Sequence, residues 1–110
     1  MTKPMFASIR KYNEAPAFAD DLAQRQEEIK AVLRPIHGLQ AFYLVKTHDG
    51  VVSMTICDNR ESAEESNRVA AGWLKDKLPA FSTRPPEVTT GEVRFHLNSD
   101  QPAPTVTATV

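Results

Sequence analysis

Along Asp49–Ser62, "DGVVSMTICDNRES", the apolar Val52, Met54 and Ile56 alternate with Ser53, Thr55 and Cys57. This period of two predicts a strand with two unlike faces. "MFASIRKY" (Met5–Tyr12) is rich in strand-favouring residues, and Pro4 suits a strand's first position. Pro16 fits the first turn of a helix, and from Phe18 the period changes. Phe18, Leu22, Ile29, Val32 and Leu33 recur at helical spacing, with Asp20, Asp21, Glu27 and Glu28 opposite them. Asp21 and Arg25 are spaced as a surface pair, and Pro35 ends the helix at Arg34. In "GLQAFYLVKTHDGVVSMTICD" two strand-like runs, at about 39–48 and 51–57, flank the turn pair Asp49-Gly50 and predict a tight hairpin. Asp58 followed by Glu61 matches a capping box. Ala63, Ala70, Leu74 and Leu78, with Val69 and Trp73 on the shoulder, predict a second helix that ends before Pro79. "GEVRFHL" supplies a last strand at 91–97. The order strand, helix, strand, strand, helix, strand predicts an α+β, ferredoxin-like βαββαβ domain over residues 1–97, with a four-stranded antiparallel sheet and both helices on one face. Residues 98–110, rich in Pro, Thr and Ala, are expected to be a flexible tail with enough strand preference in "TVTATV" to act as an arm on a partner.

Two helices cover one side of such a sheet. With Ala7, Ile9, Val52, Met54, Ile56, Val93 and Phe95 assigned to the helices, alternation sends Phe6, Ser8, Arg10, Tyr12, Ser53, Thr55, Cys57, Arg94 and His96 to the far side. The second strand is apolar on both faces, which is unusual for a sheet with one face in water. A second copy packed face to face would cover this mixed surface and leave a lined cavity around its polar members, so a homodimer is expected.

Composition narrows the function classes. A chain of 110 residues suits one domain that buries its own core. Its 13 basic and 14 acidic residues give a formal charge of −1, which argues against nucleic acid or an anionic membrane as principal partner. The single cysteine, Cys57, precludes an internal disulfide and a cysteine-based zinc site. Neither a signal peptide nor a membrane span is evident, so a soluble, cytoplasmic protein is expected. The four dispersed glycines form no phosphate loop, and His37, His48 and His96 lack metal-ligand spacing, so no cofactor and no metal are expected.

The "HGLQAFY" entry to the second strand, the "DGVVSMTICDNRESAEES" hairpin-to-helix passage and "GEVRFH" resemble the dimeric α+β barrel superfamily. They are similar in particular to small bacterial proteins grouped with antibiotic-biosynthesis-type monooxygenases. The resemblance spans about Met5 to Leu97 and implies the fold and the dimer. Its functional range is wide: cofactor-free quinol or anthrone oxygenases, haem-degrading oxygenases, isomerases and proteins without known activity. Oxygenases of this kind tend to carry an Asn and a Trp one helical turn apart on the second helix. Here Asn67 and Trp73 lie six apart and point in different directions. Haem-degrading relatives place a histidine ligand on that helix, and "RESAEESNRVAAGWLKDKL" has none.

The candidate chemistry lies elsewhere. His96 and Arg94 are the candidate catalytic pair. The histidine could serve as an acid or base at neutral pH, and Arg94 with Arg10 could hold an anionic or enolic oxygen. Tyr12 neighbours Arg10 on the same strand face. Asn67 could orient a ligand through its amide, Trp73 could stack on one, and His37, ahead of Gly38, could close a pocket mouth. Cys57 reads as a buried, unreactive thiol. The expected function is a homodimeric small-molecule-binding protein, at most a cofactor-independent monooxygenase-like or isomerase-like enzyme acting on an aromatic or enolisable compound. The alternative is a non-catalytic accessory or stress-related module whose barrel face is only a dimer seal.

Overall fold

Strand β3 (Gly50–Cys57) lies between β1 (Phe6–Tyr12) and β2 (Leu39–Thr47), and β4 (Glu87–Glu92) pairs with the other edge of β1. This computed structural model describes residues 4–13, 17–81 and 84–98. The sheet order is β2-β3-β1-β4 with every pairing antiparallel, the ferredoxin-like arrangement. Helix α1 (Ala17–Gln24), helix α2 (Gln26–Leu33) and helix α3 (Arg60–Lys77) provide the second layer. The expected first helix is thus two. At Arg25 the backbone leaves helical geometry (φ −103°, ψ 22°), and its N–H bonds the carbonyl of Leu22 rather than one four residues back. Arg25 pairs with Glu28, not with Asp21.

Helix α3 is capped one residue later than the sequence pattern predicts. Asn59 Oδ1 accepts from the Ser62 N–H at 2.8 Å. Asp58 is occupied otherwise. Its N–H donates to the Gly38 carbonyl at 2.8 Å, and its carboxylate accepts from Gln40 at 2.6 Å. Gly38 has φ +85°, and a Cβ there would lie 3.3 Å from that of Asp58, so glycine suits this crossing on two counts.

The sheet faces are the reverse of the expectation. Val51, Ser53, Thr55 and Cys57 are buried along β3, and Ser8, Arg10 and Tyr12 along β1, beneath the helices. Ala7, Ile9, Val52, Met54 and Ile56 lie on the open side and are only partly covered. Two apolar clusters sit at opposite ends of the helix–sheet interface. One gathers Tyr12, Phe18, Leu22, Val51, Trp73 and Leu74; the other gathers Leu33, Ile36, Cys57 and Ala63. The register places Ser8, Arg10, Ser53 and Thr55 between them. Polar residues can occupy that position because they satisfy one another, as described below.

The last strand also differs. β4 is "EVTTGE", and residues 93–98 continue without strand structure, leaving Phe95 88% and Leu97 91% exposed. Pairing of Ser8 with Thr90 and of Arg10 with Val88 fixes this earlier register. The tail from residue 99 and the Pro16 helix start lie outside the described residues. Among the described residues no helix is long and apolar enough to cross a membrane.

Phe18 is fully buried, edge-on to Tyr12 at 5.6 Å and tilted against Phe81 at 4.4 Å between ring centroids. Phe18→Ala is expected to lower the unfolding free energy by about 3–5 kcal/mol. Urea denaturation would show this as a lower midpoint with little change in slope.

Candidate functional site

At the centre of β1, facing the helices, Arg10 is 1% exposed. Its guanidinium meets neutral oxygens on two neighbouring elements. Nε donates to Ser53 Oγ at 2.9 Å and one Nη to Thr55 Oγ1 at 2.5 Å, both on β3. The other Nη donates to Ser66 Oγ at 3.1 Å and Asn67 Oδ1 at 2.7 Å, both on α3. No carboxylate pairs with it among the described residues. The side chain therefore carries an uncompensated positive charge in the interior, held by four charge-assisted hydrogen bonds. Desolvation lowers its pKa from the ordinary arginine value.

Asn67 is fixed by the same network. Its Oδ1 also accepts from Ser8 Oγ at 2.5 Å, so two donors orient the carboxamide oxygen inward and leave its N–H groups for another acceptor. Ser66 Oγ in turn donates to the Ala63 carbonyl at 2.6 Å. Burial pushes the Tyr12 phenol above the ordinary tyrosine pKa, and the nearby Arg10 and Ser53 only partly offset this. Tyr12 is consequently a neutral hydrogen-bonding group. Burial likewise raises the Cys57 thiol, as befits an unreactive cysteine.

A cleft of about 630 Å³ opens between α3, β1 and the segment leading into β4. Arg10, Tyr12 and Asn67 line its inner part, and the exposed Arg68, Lys75 and Arg84 line its rim. Its size suits a small organic molecule. Among the described residues that line it there is no histidine and no carboxylate. On the other side of Tyr12 and Leu74 lies an apolar crevice with room for only about 40 Å³. Trp73 lines this crevice, and its buried indole N–H has no partner among the described residues.

The structure thus joins Arg10, Tyr12 and Asn67 in one cleft and separates them from the other candidates. Trp73 faces the crevice, in keeping with the six-residue spacing from Asn67. Arg94 and His96 lie beyond β4, line a different depression together with His37, and do not approach Arg10. Arg94 is an exposed partner of Glu92 at 3.3 Å. The His37 backbone carbonyl accepts from Ser62 Oγ at 2.5 Å, so this loop residue helps to seat the start of α3. Alternation places Ser8, Ser53 and Thr55 on one face with Arg10 without giving them a role, and sequence pattern does not mark Ser66, Arg68, Lys75 or Arg84. The available signals were the Ser/Thr alternation in phase with Arg10, Ser62 and Ser66 one turn apart, and Arg68 and Lys75 two turns apart. Among the described residues no three His, Cys, Asp or Glu side chains are grouped to hold a metal.

No family model and no curated protein matches the chain. Solved structures do. A monooxygenase from the ActVA-Orf6 gene of Streptomyces coelicolor, solved with nanaomycin D, aligns over 90% of this chain and 95% of its own, at 14% identity and a TM-score of 0.62. The NE2512 protein of unknown function from Nitrosomonas europaea aligns over 94% and 100%, at 15% identity and 0.64. A dimeric ferredoxin-like protein from an uncultured marine organism aligns over 89% and 94%, at 14% identity and 0.58. At these identities the likeness is one of fold. The chain has a ferredoxin-like α+β fold shared with these proteins.

Two measurements bear on this geometry. Arg10→Lys keeps the charge but cannot reach four acceptors on two elements, and is expected to destabilise the fold by about 2–4 kcal/mol in urea denaturation. A loss below about 0.5 kcal/mol would contradict the role given to the guanidinium fork. In an alkaline titration followed by tyrosinate absorbance, the step removed by Tyr12→Phe should lie above the usual tyrosine range near pH 10. The folded state holds that proton more tightly than the unfolded chain does. The corresponding stability is present below about pH 10 and is lost as pH rises through the folded-state pKa.

Proposed function

We propose that the chain is a homodimeric small-molecule-binding protein whose α3–β1–β4 cleft holds a phenolic or enolisable ligand with its oxygen beside Arg10 and Asn67. The observation that carries this reading is the buried guanidinium, without a counter-ion among the described residues, set at the inner end of a cleft whose described lining holds no acid. Its field stabilises negative charge, and the unengaged Asn67 N–H groups can donate to an oxyanion. With no histidine or carboxylate lining the cleft among the described residues, its contribution is to lower the ligand's own pKa rather than to carry a proton. Loss of the ligand's proton to solvent water gives an enolate, the common starting point for proton-shift isomerisation and for direct reaction with dioxygen. The likeness in fold to a monooxygenase of Streptomyces coelicolor is in keeping with this reading.

The open sheet face supports the dimer. Ala7, Ile9, Ala41, Tyr43, Val45, Val52, Met54 and Ile56 share it across three strands, with Tyr43 56% and Val45 47% exposed. A continuous apolar face of this kind is a strong candidate for burial against a second copy, and the marine relative is described as dimeric. The role first expected for the Ser-Thr-Arg side of the sheet therefore passes to the other side.

Sedimentation equilibrium should give a dimer at micromolar concentration. The double change Val52→Asp, Met54→Asp should yield a monomer or an aggregating chain. A wild-type monomer with unchanged solubility would remove the dimer reading. Ligand binding is checked through Ala71→Trp, which fills the cleft from an exposed position on α3. A dihydroxyanthrone probe is oxidised by one dioxygen to the anthraquinone and water. The wild type should accelerate its oxygen uptake or bind it in native mass spectrometry, and the variant should lose both while remaining dimeric. Equal behaviour of the two proteins would favour the accessory module, in which the sheet face is only a seal.

A further inference from the structure

The cleft is more basic than the chain. Four of its lining residues, Arg10 within and Arg68, Lys75 and Arg84 at the rim, are cations in a protein whose formal net charge is −1. Outside the cleft, Lys11, Arg25, Lys30, Lys46, Lys77 and Arg94 each have a carboxylate within 4 Å; of the described cations there only Arg34 and Arg60 lack one, and Arg60 lies over the Phe6 ring at 5.0 Å. Arg68, Lys75 and Arg84 have no ion pair among the described residues, although Glu64 and Glu65 precede Arg68 by four and three positions on the same helix.

Two features pre-arrange these charges. Arg68 and Lys75 are seven residues apart on α3, two turns along one face. Arg84 approaches from the opposite wall, and Pro85 and Pro86, also part of the lining, restrict the backbone that carries it. Phe81 and Val88 add an apolar surface beside them. Unpaired cations on two walls, apolar surface between them and a buried cation behind form a gradient that draws in one end of an amphiphilic anion.

Building on the small-molecule reading above, we propose that the cleft selects ligands bearing a full oxyanion, a carboxylate or a phosphate, which is held among Arg68, Lys75 and Arg84. The ligand's apolar body lies against Phe81 and Val88. This assigns the rim a specificity role separate from that of Arg10 and Asn67. The rim reads a permanent charge, and the inner pair meets the uncharged end.

Isothermal titration calorimetry with naphthoate, naphthyl phosphate and the neutral naphthalenemethanol tests it. At low salt at least one anion should bind about tenfold more tightly than the alcohol, and half-molar salt should erode most of that advantage. The arm that binds better, carboxylate or phosphate ester, identifies the preferred group. The variant Arg68→Gln, Lys75→Gln, Arg84→Gln should bind the alcohol as the wild type does and lose the preference for the anions. Because the three side chains are exposed, its melting temperature should match that of the wild type, which guards against misfolding as the cause. Equal binding of alcohol and anions by the wild type, or a preference that survives in the variant, overturns charge selection and leaves the small-molecule reading intact. Absence of binding by all three compounds overturns charge selection, and the anthrone assay above decides the small-molecule reading separately.

Discussion

A single arginine, buried at the middle of the sheet with no carboxylate among the described residues to neutralise it, constrains much of this structure. Removing a guanidinium from water costs several kcal/mol after relaxation. Each hydrogen bond to a charged group returns about 1.5–3 kcal/mol, so a few well-placed acceptors are needed to offset that cost. Arg10 finds four, on Ser53, Thr55, Ser66 and Asn67. The requirement accounts for small hydroxyl side chains on β3 where a core strand would ordinarily present Val or Leu. It also accounts for Ser66 and Asn67 at the point where α3 crosses the sheet. Apolar packing is displaced to the two ends of the interface, around Trp73 and around Cys57.

Once the polar side of β1 and β3 lies under the helices, strict alternation turns Ile9, Val52, Met54 and Ile56 outward. The protein therefore has an interior with a polar waist and an outer sheet face with an apolar surface, the inverse of a simple two-layer domain. The proposed dimer resolves this, because a second copy removes the apolar face from water without disturbing the hydrogen bonds around Arg10.

The same hydrogen bonds shape the cleft. By accepting from Arg10 and Ser8, the Asn67 oxygen fixes the carboxamide without help from a ligand, so its N–H groups are positioned in advance. Tyr12 separates the cleft from the apolar crevice and belongs structurally to both. His37, Arg94 and His96 share a depression elsewhere and do not contribute to the Arg10 group. That separation turns the functional reading from proton transfer by a histidine towards stabilisation of charge by a fixed cation.

By itself the sequence determined the element order, the hairpin joining β2 and β3, the fold class and the contrast between the two faces of β3, because these follow from local period and turn chemistry. It also marked Arg10, Tyr12 and Asn67 as candidates, but it grouped Arg10 and Tyr12 with Arg94 and His96 and left Asn67 apart on the helix side. Only the tertiary structure decided which face lies inside. A period of two shows that faces differ, and the usual assumption that the apolar one is buried fails where polar groups satisfy one another across strands and helix. The register of β4 was equally out of reach: "GEVRFHL" alternates as well as "EVTTGE", and pairing with β1 over more than seventy residues of chain selects the second. The gathering of Arg68, Lys75 and Arg84 was hidden for the same reason, since two lie on one helix and the third arrives from a separate segment that nothing in the local pattern brings near.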